Sequence, residues 1–171
     1  MGNYINETVG NSAGYYWFNG GFADMGDIDA FEGTDSLTIF TITIPDGLNC
    51  GGNNDESEFV PIVSKWTVCD IANSSYRIYL NGDRLVAEFS DGVSSDSLSY
   101  DLWFGTLGLD WTPLTVIFES GQARIYESWI EVVNKSLSVT TINNSTANFF
   151  LGNMNNHLNQ SYQTFSGSID E

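Results

Sequence analysis

The sequence predicts an all-β protein that folds as a single sandwich of two antiparallel sheets. Apolar and polar residues alternate along short segments, most clearly in the second half of the chain, and a two-residue period is that of a strand with one buried face. Turn-forming residues separate these segments at the spacing typical of sandwiches. No segment keeps a 3.6-residue apolar period, and the sequence shows neither an internal repeat nor a second domain.

The first half of the chain has a polar start followed by three aromatic or β-branched strands. Residues 1–14 lack periodicity and are predicted as a flexible N-terminal arm, which leaves residues 15–171 for the sandwich. Tyr15–Phe18 is a short aromatic strand, and Leu37–Ile44, rich in Thr and Ile, predicts a buried central strand. Phe59–Trp66 is a further strand, in which the proline indicates an edge or a bulge.

The second half is a series of short strands and turns. Asn81-Gly82 predicts a two-residue hairpin turn, because both positions of such a turn require positive φ. Residues 90–99 are rich in Ser and Asp and predict a loop. The predicted strands are Tyr76–Leu80, Arg84–Phe89, Leu114–Glu119, Ala123–Tyr126, Trp129–Val133, Leu137–Ile142 and Phe149–Leu151.

Composition limits the classes of function. A chain of 171 residues with 42% hydrophobic and 14% aromatic residues predicts one packed domain. The net charge of −17 arises mainly because the chain has only five Lys and Arg residues. Such a surface repels phosphate backbones and anionic lipid and attracts divalent cations, so nucleic acid is an unfavourable partner. No apolar run reaches the ~18 residues that insert across a bilayer.

The start of the chain and its cysteines bear on the compartment. The first residues lack the basic segment and the apolar middle of a secretory signal. This favours a protein that works where it is made or leaves the cell inside a particle, although an excised part of a longer chain would look the same. Cys50 and Cys69 follow different predicted strands, and two cysteines leave both a disulfide and free thiols open.

Four stretches, in order, carry a family likeness: Phe18–Gly21 with Gly33–Ile39, Pro61–Trp66 with Tyr76–Gly82, Trp111–Phe118 with Gly121–Tyr126, and Leu151–Asn153 with Phe165–Glu171. Together they resemble the concanavalin A-like lectin/glucanase superfamily, and within it the laminin-G-like jelly rolls. The resemblance covers residues 15–171 and implies a jelly-roll sandwich. Two departures are visible. The last strand of the family usually continues beyond Glu171, and the hairpin after Tyr126 normally turns on a glycine. Here Ser128-Trp129 stands in that place, and because Trp resists positive φ, we expect a different turn.

The resemblance implies a structural calcium ion. Carried over by position, Asp170 supplies a carboxylate, Gly33 a backbone carbonyl and Asp35 a further oxygen. Calcium takes six to eight hard oxygen ligands, which acidic loops can supply. The alternative is that Asp170 hydrogen-bonds a turn and Asp35 caps one.

A catalytic interpretation is weaker. Asp27, Asp29 and Glu32 superficially resemble the carboxylate strand of the retaining glucanases in this superfamily, in which two carboxyl groups ~5 Å apart perform double displacement. However, the first position is an Asp rather than a Glu, and the segment lies early, in a predicted loop. The lone histidine, His157, supports neither a triad nor a zinc site. The protein is therefore predicted not to be an enzyme.

Aromatic residues near predicted turns are candidates for binding a glycan or a neighbouring subunit. Sugar rings stack their C–H faces on Trp and Tyr while Asn and Asp bond the hydroxyls. Trp129, at a predicted hairpin tip, is the first candidate, followed by Trp66 beside Asp70, and by Tyr100. Core packing is the preferred interpretation of the remaining tryptophans, Trp17, Trp103 and Trp111.

These observations predict a non-enzymatic recognition or decoration module on an exterior surface. The favoured setting is the surface of a virus or phage particle, as a head-decoration, fibre or tail-adhesin domain that contacts glycans or neighbouring subunits, with a homo-oligomer or capsid or tail assembly to match. The alternative is an extracellular carbohydrate-binding module of a secreted bacterial enzyme or adhesin. A glycoside hydrolase is the third interpretation.

Overall fold

The structure is a computed structural model. It describes residues 4–5, 9–12, 15–19, 22–28, 33–45, 59–82, 84–102, 112–154 and 166–170. These ranges hold fourteen strands and one 3₁₀ turn, Ile71–Asn73. The strands are β1 (Tyr4–Ile5), β2 (Val9–Ser12), β3 (Tyr15–Asn19), β4 (Ala23–Asp24), β5 (Ser36–Pro45), β6 (Phe59–Lys65), β7 (Tyr76–Asn81), β8 (Arg84–Ser90), β9 (Ser95–Asp101), β10 (Thr112–Glu119), β11 (Gln122–Glu127), β12 (Ile130–Ser136), β13 (Phe149–Leu151) and β14 (Ser166–Asp170).

The strands form two seven-stranded sheets. The first sheet has the order β1-β4-β13-β6-β7-β8-β9, and the second has the order β12-β11-β10-β5-β14-β3-β2. All the strand pairs in both sheets are antiparallel. The predicted all-β sandwich of two antiparallel sheets is therefore confirmed, and β5 occupies the central position expected from its β-branched sequence.

The core lies between the two sheets and follows the alternation in the sequence. On β11, Ala123 and Ile125 are fully buried while the intervening Arg124 reaches the surface. Phe89 of the first sheet and Phe118 of the second meet in the centre with ring centroids 4.7 Å apart. Each large apolar side chain buried in this way stabilises the fold by about 1.5–3 kcal/mol.

The N-terminal segment contains two strands. Residues 1–14 were expected as a flexible arm, and within them β1 pairs with β4 in the first sheet and β2 pairs with β3 in the second. Both strands lie at the edge of their sheet. The flexibility of the arm stays a prediction.

Three further local predictions need correction. The Ser/Asp-rich segment predicted as a loop contains β9, an edge strand. The segment predicted as the strand Leu137–Ile142 lies outside the strands, although Leu137, Val139 and Ile142 are buried. The β7–β8 ladder pairs Asn81 with Arg84, so the turn begins one residue later than predicted. The bulge expected in β6 is confirmed, between Pro61 and Val63.

The two sheets are joined along one side by β9 and β12. The Lys135 ammonium donates to the Asp96 carboxylate at 2.8 Å and to the Ser97 carbonyl oxygen at 2.7 Å. The backbone N–H of Ser138 donates to the other Asp96 oxygen at 2.9 Å. The hydrogen bond from Lys135, followed by that from Ser138, lowers the pKa of Asp96 from 3.8 to about 2.

Candidate functional site

The β11–β12 hairpin ends in a turn built from Ser128 and Trp129. The ladder closes with Glu127 opposite Ile130, so two residues form the turn. Both have positive φ, 49° at Ser128 and 71° at Trp129, as a two-residue hairpin turn with two left-handed positions requires. The backbone N–H of Ser128 donates to the Pro113 carbonyl oxygen at 2.9 Å, which ties the turn to β10.

This geometry strains Trp129. A residue with a Cβ pays roughly 1–2 kcal/mol in the left-handed region. The preceding hairpin shows the usual solution, because its turn is Ser120-Gly121 with a glycine at the second position. Trp129 occupies the equivalent position in the next hairpin. The expectation that Trp129 would force a different turn is wrong: the turn is kept, and the tryptophan adopts the conformation that glycine prefers.

The turn presents apolar surface to solvent. Trp129 is 72% exposed and its neighbour Ile130 is 67% exposed. We call Ser128, Trp129 and Ile130 the hairpin tip. Strain at a residue whose ring packs little core is typical of functional positions, where the surrounding structure maintains a conformation that the residue itself disfavours.

Two carboxylates bracket the hairpin tip. Glu127 accepts a hydrogen bond of 3.0 Å from the Tyr100 hydroxyl of β9, in the opposite sheet. Glu131 accepts one of 3.0 Å from the Tyr126 hydroxyl and one of 3.2 Å from the Asn134 amide. Desolvation and then the bond to Glu127 raise the pKa of Tyr100, whereas the bond to Glu131 is the main cause of the raised pKa of Tyr126. Both phenols therefore stay protonated donors at neutral pH.

A chain of polar side chains continues from Glu131 along the exposed hairpin. The Asn134 side chain, which donates to Glu131, also accepts a hydrogen bond from the Gln122 amide. Gln122 in turn accepts one of 2.9 Å from the Ser136 hydroxyl. These amide and hydroxyl groups fix one another in orientation, and they run from Glu131 to the end of the hairpin away from the tip, where Gln122 pairs with Ser136.

The structure separates the predicted binding residues into two groups. Tyr100 contacts the residue two positions before Trp129, so these two candidates belong to one site. Trp66 lies beside Tyr76, the first residue of β7. Tyr100 lies across the sheet from Leu80, four residues further along that strand. Trp66 and the adjoining Asp70 are therefore at the other end of the first sheet.

The environment of Trp66 corrects its predicted role. The residue is 5% exposed, and the Arg77 guanidinium lies 4.5 Å from the centroid of its ring. Asp70 shapes the adjoining turn, since its backbone carbonyl oxygen accepts bonds of 3.1 Å from the Asn73 N–H and 2.7 Å from the Ser74 hydroxyl. A buried ring covered by a cation offers no open face to a sugar, so Trp66 is a packing residue rather than a stacking platform.

The predicted calcium ligands do not converge. Asp170 of β14 pairs with Ile42 of β5, seven residues along that strand from Asp35. At 3.3–3.4 Å per residue this separates the two backbones by about 23 Å, whereas one calcium ion holds its ligands at about 2.3–2.6 Å. The register of β5 does not bring Asp35 and Asp170 together, and calcium binding through Asp170, Asp35 and Gly33 stays a prediction.

Of the three acidic residues considered for catalysis, Asp27 is the one that lies within the described residues. Asp27 accepts a 2.5 Å bond from the ammonium of Lys65, which is fully buried and also donates to the Ala147 carbonyl oxygen at 2.8 Å. Asp27 thus compensates a buried cation. Asp29, Glu32 and His157 lie outside the described residues. Within the described ranges, no group of three His, Cys, Asp or Glu side chains is arranged to hold a metal ion.

Sequence reasoning missed three residues of this site: Ile130 and the two bracketing glutamates. Ile130 was absorbed into a predicted strand, and Glu127 and Glu131 were counted only in the net charge. A usable signal existed, because the positions two residues before and after Trp129 in a tight hairpin flank its turn. The participation of Tyr100 depends on contact between the sheets and has no local signal.

Comparisons with known proteins agree with the fold. No protein-family model and no curated sequence matches the chain. Among solved structures, domains LG4-5 of the mouse laminin alpha1 chain match 98% of this chain with a TM-score of 0.66 at 12% identity, over 43% of that chain. The binding domain of botulinum neurotoxin serotype G matches 99% with a TM-score of 0.66 at 16% identity, over 41% of its length.

A third structure is described as showing that cell entry of botulinum neurotoxin type C depends on interaction with two ganglioside molecules. It matches 78% of this chain with a TM-score of 0.51 at 15% identity, over 30% of its own length. This chain therefore spans less than half the length of each of these structures. At such identities the likeness shows the fold, and it confirms the concanavalin A-like, laminin-G-like jelly roll. In the described residues, no helix is long and apolar enough to cross a membrane.

Proposed function

We propose that this protein is a non-enzymatic recognition module that binds a saccharide at the hairpin tip. The observation that carries the proposal is the 72% exposed Trp129, held in a left-handed conformation at the end of a tight hairpin. A tryptophan face stacks on the C–H face of a sugar ring, and Ile130 extends the apolar contact. The bracketing glutamates supply hydrogen-bond acceptors for hydroxyl groups.

The structural neighbours support a binding role by analogy of fold. One of them is named as the binding domain of botulinum neurotoxin serotype G, and the type C toxin is described as interacting with gangliosides. Because one fold hosts many functions, this analogy carries less weight than the exposed tryptophan. The proposed mechanism requires neither a nucleophile nor an acid–base pair, which is consistent with the use of Asp27 as partner of Lys65.

A glycan array tests the proposal directly. We expect the full chain to bind a defined set of oligosaccharides and Trp129→Ala to lose this binding. Val93→Ala is the matched control, since Val93 is an 86% exposed apolar residue in the β8–β9 connection, away from the hairpin tip. Absence of saccharide binding by the parent protein, or undiminished binding by Trp129→Ala, would overturn the proposal.

A more specific form of the proposal places the module on a virus or phage particle, as a decoration, fibre or tail-adhesin domain. An acidic surface with few bases and an exposed apolar hairpin tip suits a protein that contacts a glycan or a neighbouring subunit. Light scattering distinguishes this form from a free-standing extracellular carbohydrate-binding module. A discrete oligomer that dissociates in Trp129→Ala favours subunit contact through the tip, and a monomer favours the free-standing module.

Calcium is a separate proposal with its own test. If Asp170 holds a calcium ion, the melting temperature falls when the ion is chelated, and Asp170→Asn removes that fall. Asp35→Asn is the control, because the sheet register keeps Asp35 far from Asp170. Equal melting temperatures of the parent in calcium and in chelator would rule the ion out.

A further inference from the structure

All the basic side chains of this protein are engaged by carboxylates. The chain contains five Lys and Arg residues, and the described residues include them all. Their ion pairs are Lys65–Asp27 at 2.5 Å, Arg77–Glu88 at 2.6 Å, Arg84–Asp101 at 2.6 Å, Arg124–Glu119 at 3.7 Å and Lys135–Asp96 at 2.8 Å. An anionic ligand would therefore meet only Lys and Arg side chains whose charge is already offset by a neighbouring carboxylate.

The lack of a Lys or Arg side chain without a carboxylate partner matters most at the hairpin tip. Glu127 and Glu131 stand two residues before and two residues after Trp129, and hydrogen bonds from Tyr100 and Tyr126 hold their carboxylates in place. The nearest base along the hairpin, Arg124, is paired with Glu119. A ligand that stacks on Trp129 therefore lies near two fixed negative charges, Glu127 on the hairpin face toward the opposite sheet and Glu131 beside Tyr126.

We infer that the hairpin tip accepts uncharged, hydroxyl-rich saccharides and rejects saccharides that carry sialic acid or sulfate. The inference rests on the proposed function and adds the charge class of the ligand. A carboxylate accepts hydrogen bonds from sugar hydroxyls, and such charge-assisted bonds are stronger than bonds between neutral groups. The same carboxylate repels an acidic substituent on the ligand, and the site offers no unengaged Lys or Arg to offset that repulsion.

This selectivity separates the chain from one of its structural neighbours. Gangliosides carry sialic acid, and the type C toxin is described as interacting with gangliosides. The jelly-roll scaffold is shared, whereas the ligand class is set by the charges around each site. The bracketing glutamates therefore predict the opposite charge preference for this hairpin tip.

Matched oligosaccharide pairs test the inference. Neutral oligosaccharides from a glycan array are compared with the same structures bearing a terminal sialic acid or a sulfate group, using the full chain. We expect the acidic member of each pair to bind at least about tenfold more weakly at low salt, with a smaller difference at high salt because exposed charges are screened.

The double variant Glu127→Gln, Glu131→Gln identifies the source of the selectivity. It keeps the side-chain length and one acceptor oxygen at each position while removing both charges, so we expect the difference between neutral and acidic members to shrink. Asp35→Asn is the charge control. Asp35 precedes Ser36, which pairs with Glu119 of β10. Glu119 lies five residues along β10 from Leu114, the residue that pairs with Glu127. This is about 17 Å, beyond the screening length at physiological salt, so the difference should persist in Asp35→Asn.

The possible outcomes separate the two proposals. Binding of acidic members that is equal or tighter, and that still requires Trp129, would overturn the charge inference and leave the saccharide-binding function standing. An undiminished difference in the double variant would also overturn it. Binding of no saccharide would overturn the proposed function, and the inference with it. Thermal melts of each variant verify that the fold is retained.

Discussion

The Tyr100 hydroxyl donates a 3.0 Å hydrogen bond to the Glu127 carboxylate, and this bond joins the two sheets beside the hairpin tip. Tyr100 belongs to the edge strand β9 of the first sheet, and Glu127 is the last residue of β11 before the strained turn. The exposed tryptophan is thus carried by a hairpin that is anchored from the opposite sheet. This arrangement positions the hairpin that carries the Trp129 ring before a ligand binds.

The anchor should contribute to both stability and binding. We expect Tyr100→Phe to lower the free energy of unfolding by about 1 kcal/mol, because one hydrogen bond to a charged acceptor is lost. Saccharide affinity should fall several-fold because Glu127 is no longer held. Urea unfolding and titration calorimetry measure the two effects. Unchanged affinity in Tyr100→Phe would show that Glu127 needs no support.

Replacement of the strained tryptophan should stabilise the fold. We expect Trp129→Gly to raise the free energy of unfolding by about 0.5–1 kcal/mol, because the relief of left-handed strain exceeds the entropy that glycine loses on folding. Val93→Gly is the control, since Val93 is also exposed but is not among the described residues with positive φ. The control should be neutral or destabilised. A destabilised Trp129→Gly would mean that the ring packs more than its exposure indicates.

The buried Lys65 depends on Asp27. We expect Asp27→Asn to cost about 3 kcal/mol, because a buried cation is left without its counter-charge. Lys65→Met in the same background should recover part of that loss by removing the unpaired charge. Urea unfolding of the two single variants and the double variant gives the coupling energy. Additive losses would indicate that the 2.5 Å pair contributes nothing as a pair.

Acid should lower the stability that the contact between β9 and β12 contributes to the fold. The pKa of Asp96 is lowered from 3.8 to about 2 in the folded protein. A carboxyl group with a lowered folded-state pKa contributes stability above its unfolded pKa and loses that contribution as the pH falls toward its folded pKa. Stability should therefore decline between about pH 4 and pH 2, and this decline should be shallower in Asp96→Asn. Parallel declines in the two proteins would contradict the role of Asp96.

The sequence predicted the strands whose faces differ in polarity. Gln122–Glu127 alternates between core and surface, whereas Tyr76–Asn81 is buried over most of its length, and both lie within one residue of their predicted limits at each end. β9 was not predicted as a strand because Leu98 and Leu102 are the only buried apolar residues in or beside it. Its serine-rich sequence therefore shows no two-residue apolar period. The buried residues from Leu137 to Ile142 pack as an irregular segment, which alternation alone does not distinguish from a strand.

The site was only partly visible in the sequence. Trp129 could be identified because a turn residue has little core to fill, and the same reasoning failed for Trp66, whose burial depends on Arg77 from a neighbouring strand. The distance between the predicted calcium ligands Asp35 and Asp170 was not readable either, because register along β5 is not encoded near those residues. Local turn chemistry was therefore readable, while contacts between strands and between sheets required the structure.

The most direct measurement compares the parent protein and Trp129→Gly on the same glycan array and in the same thermal melt. We expect the variant to melt at a higher temperature and to bind no saccharide, because the ring that strains the turn is the ring that stacks on the ligand. A variant that retains the saccharide binding of the parent would contradict the central claim, whatever its melting temperature.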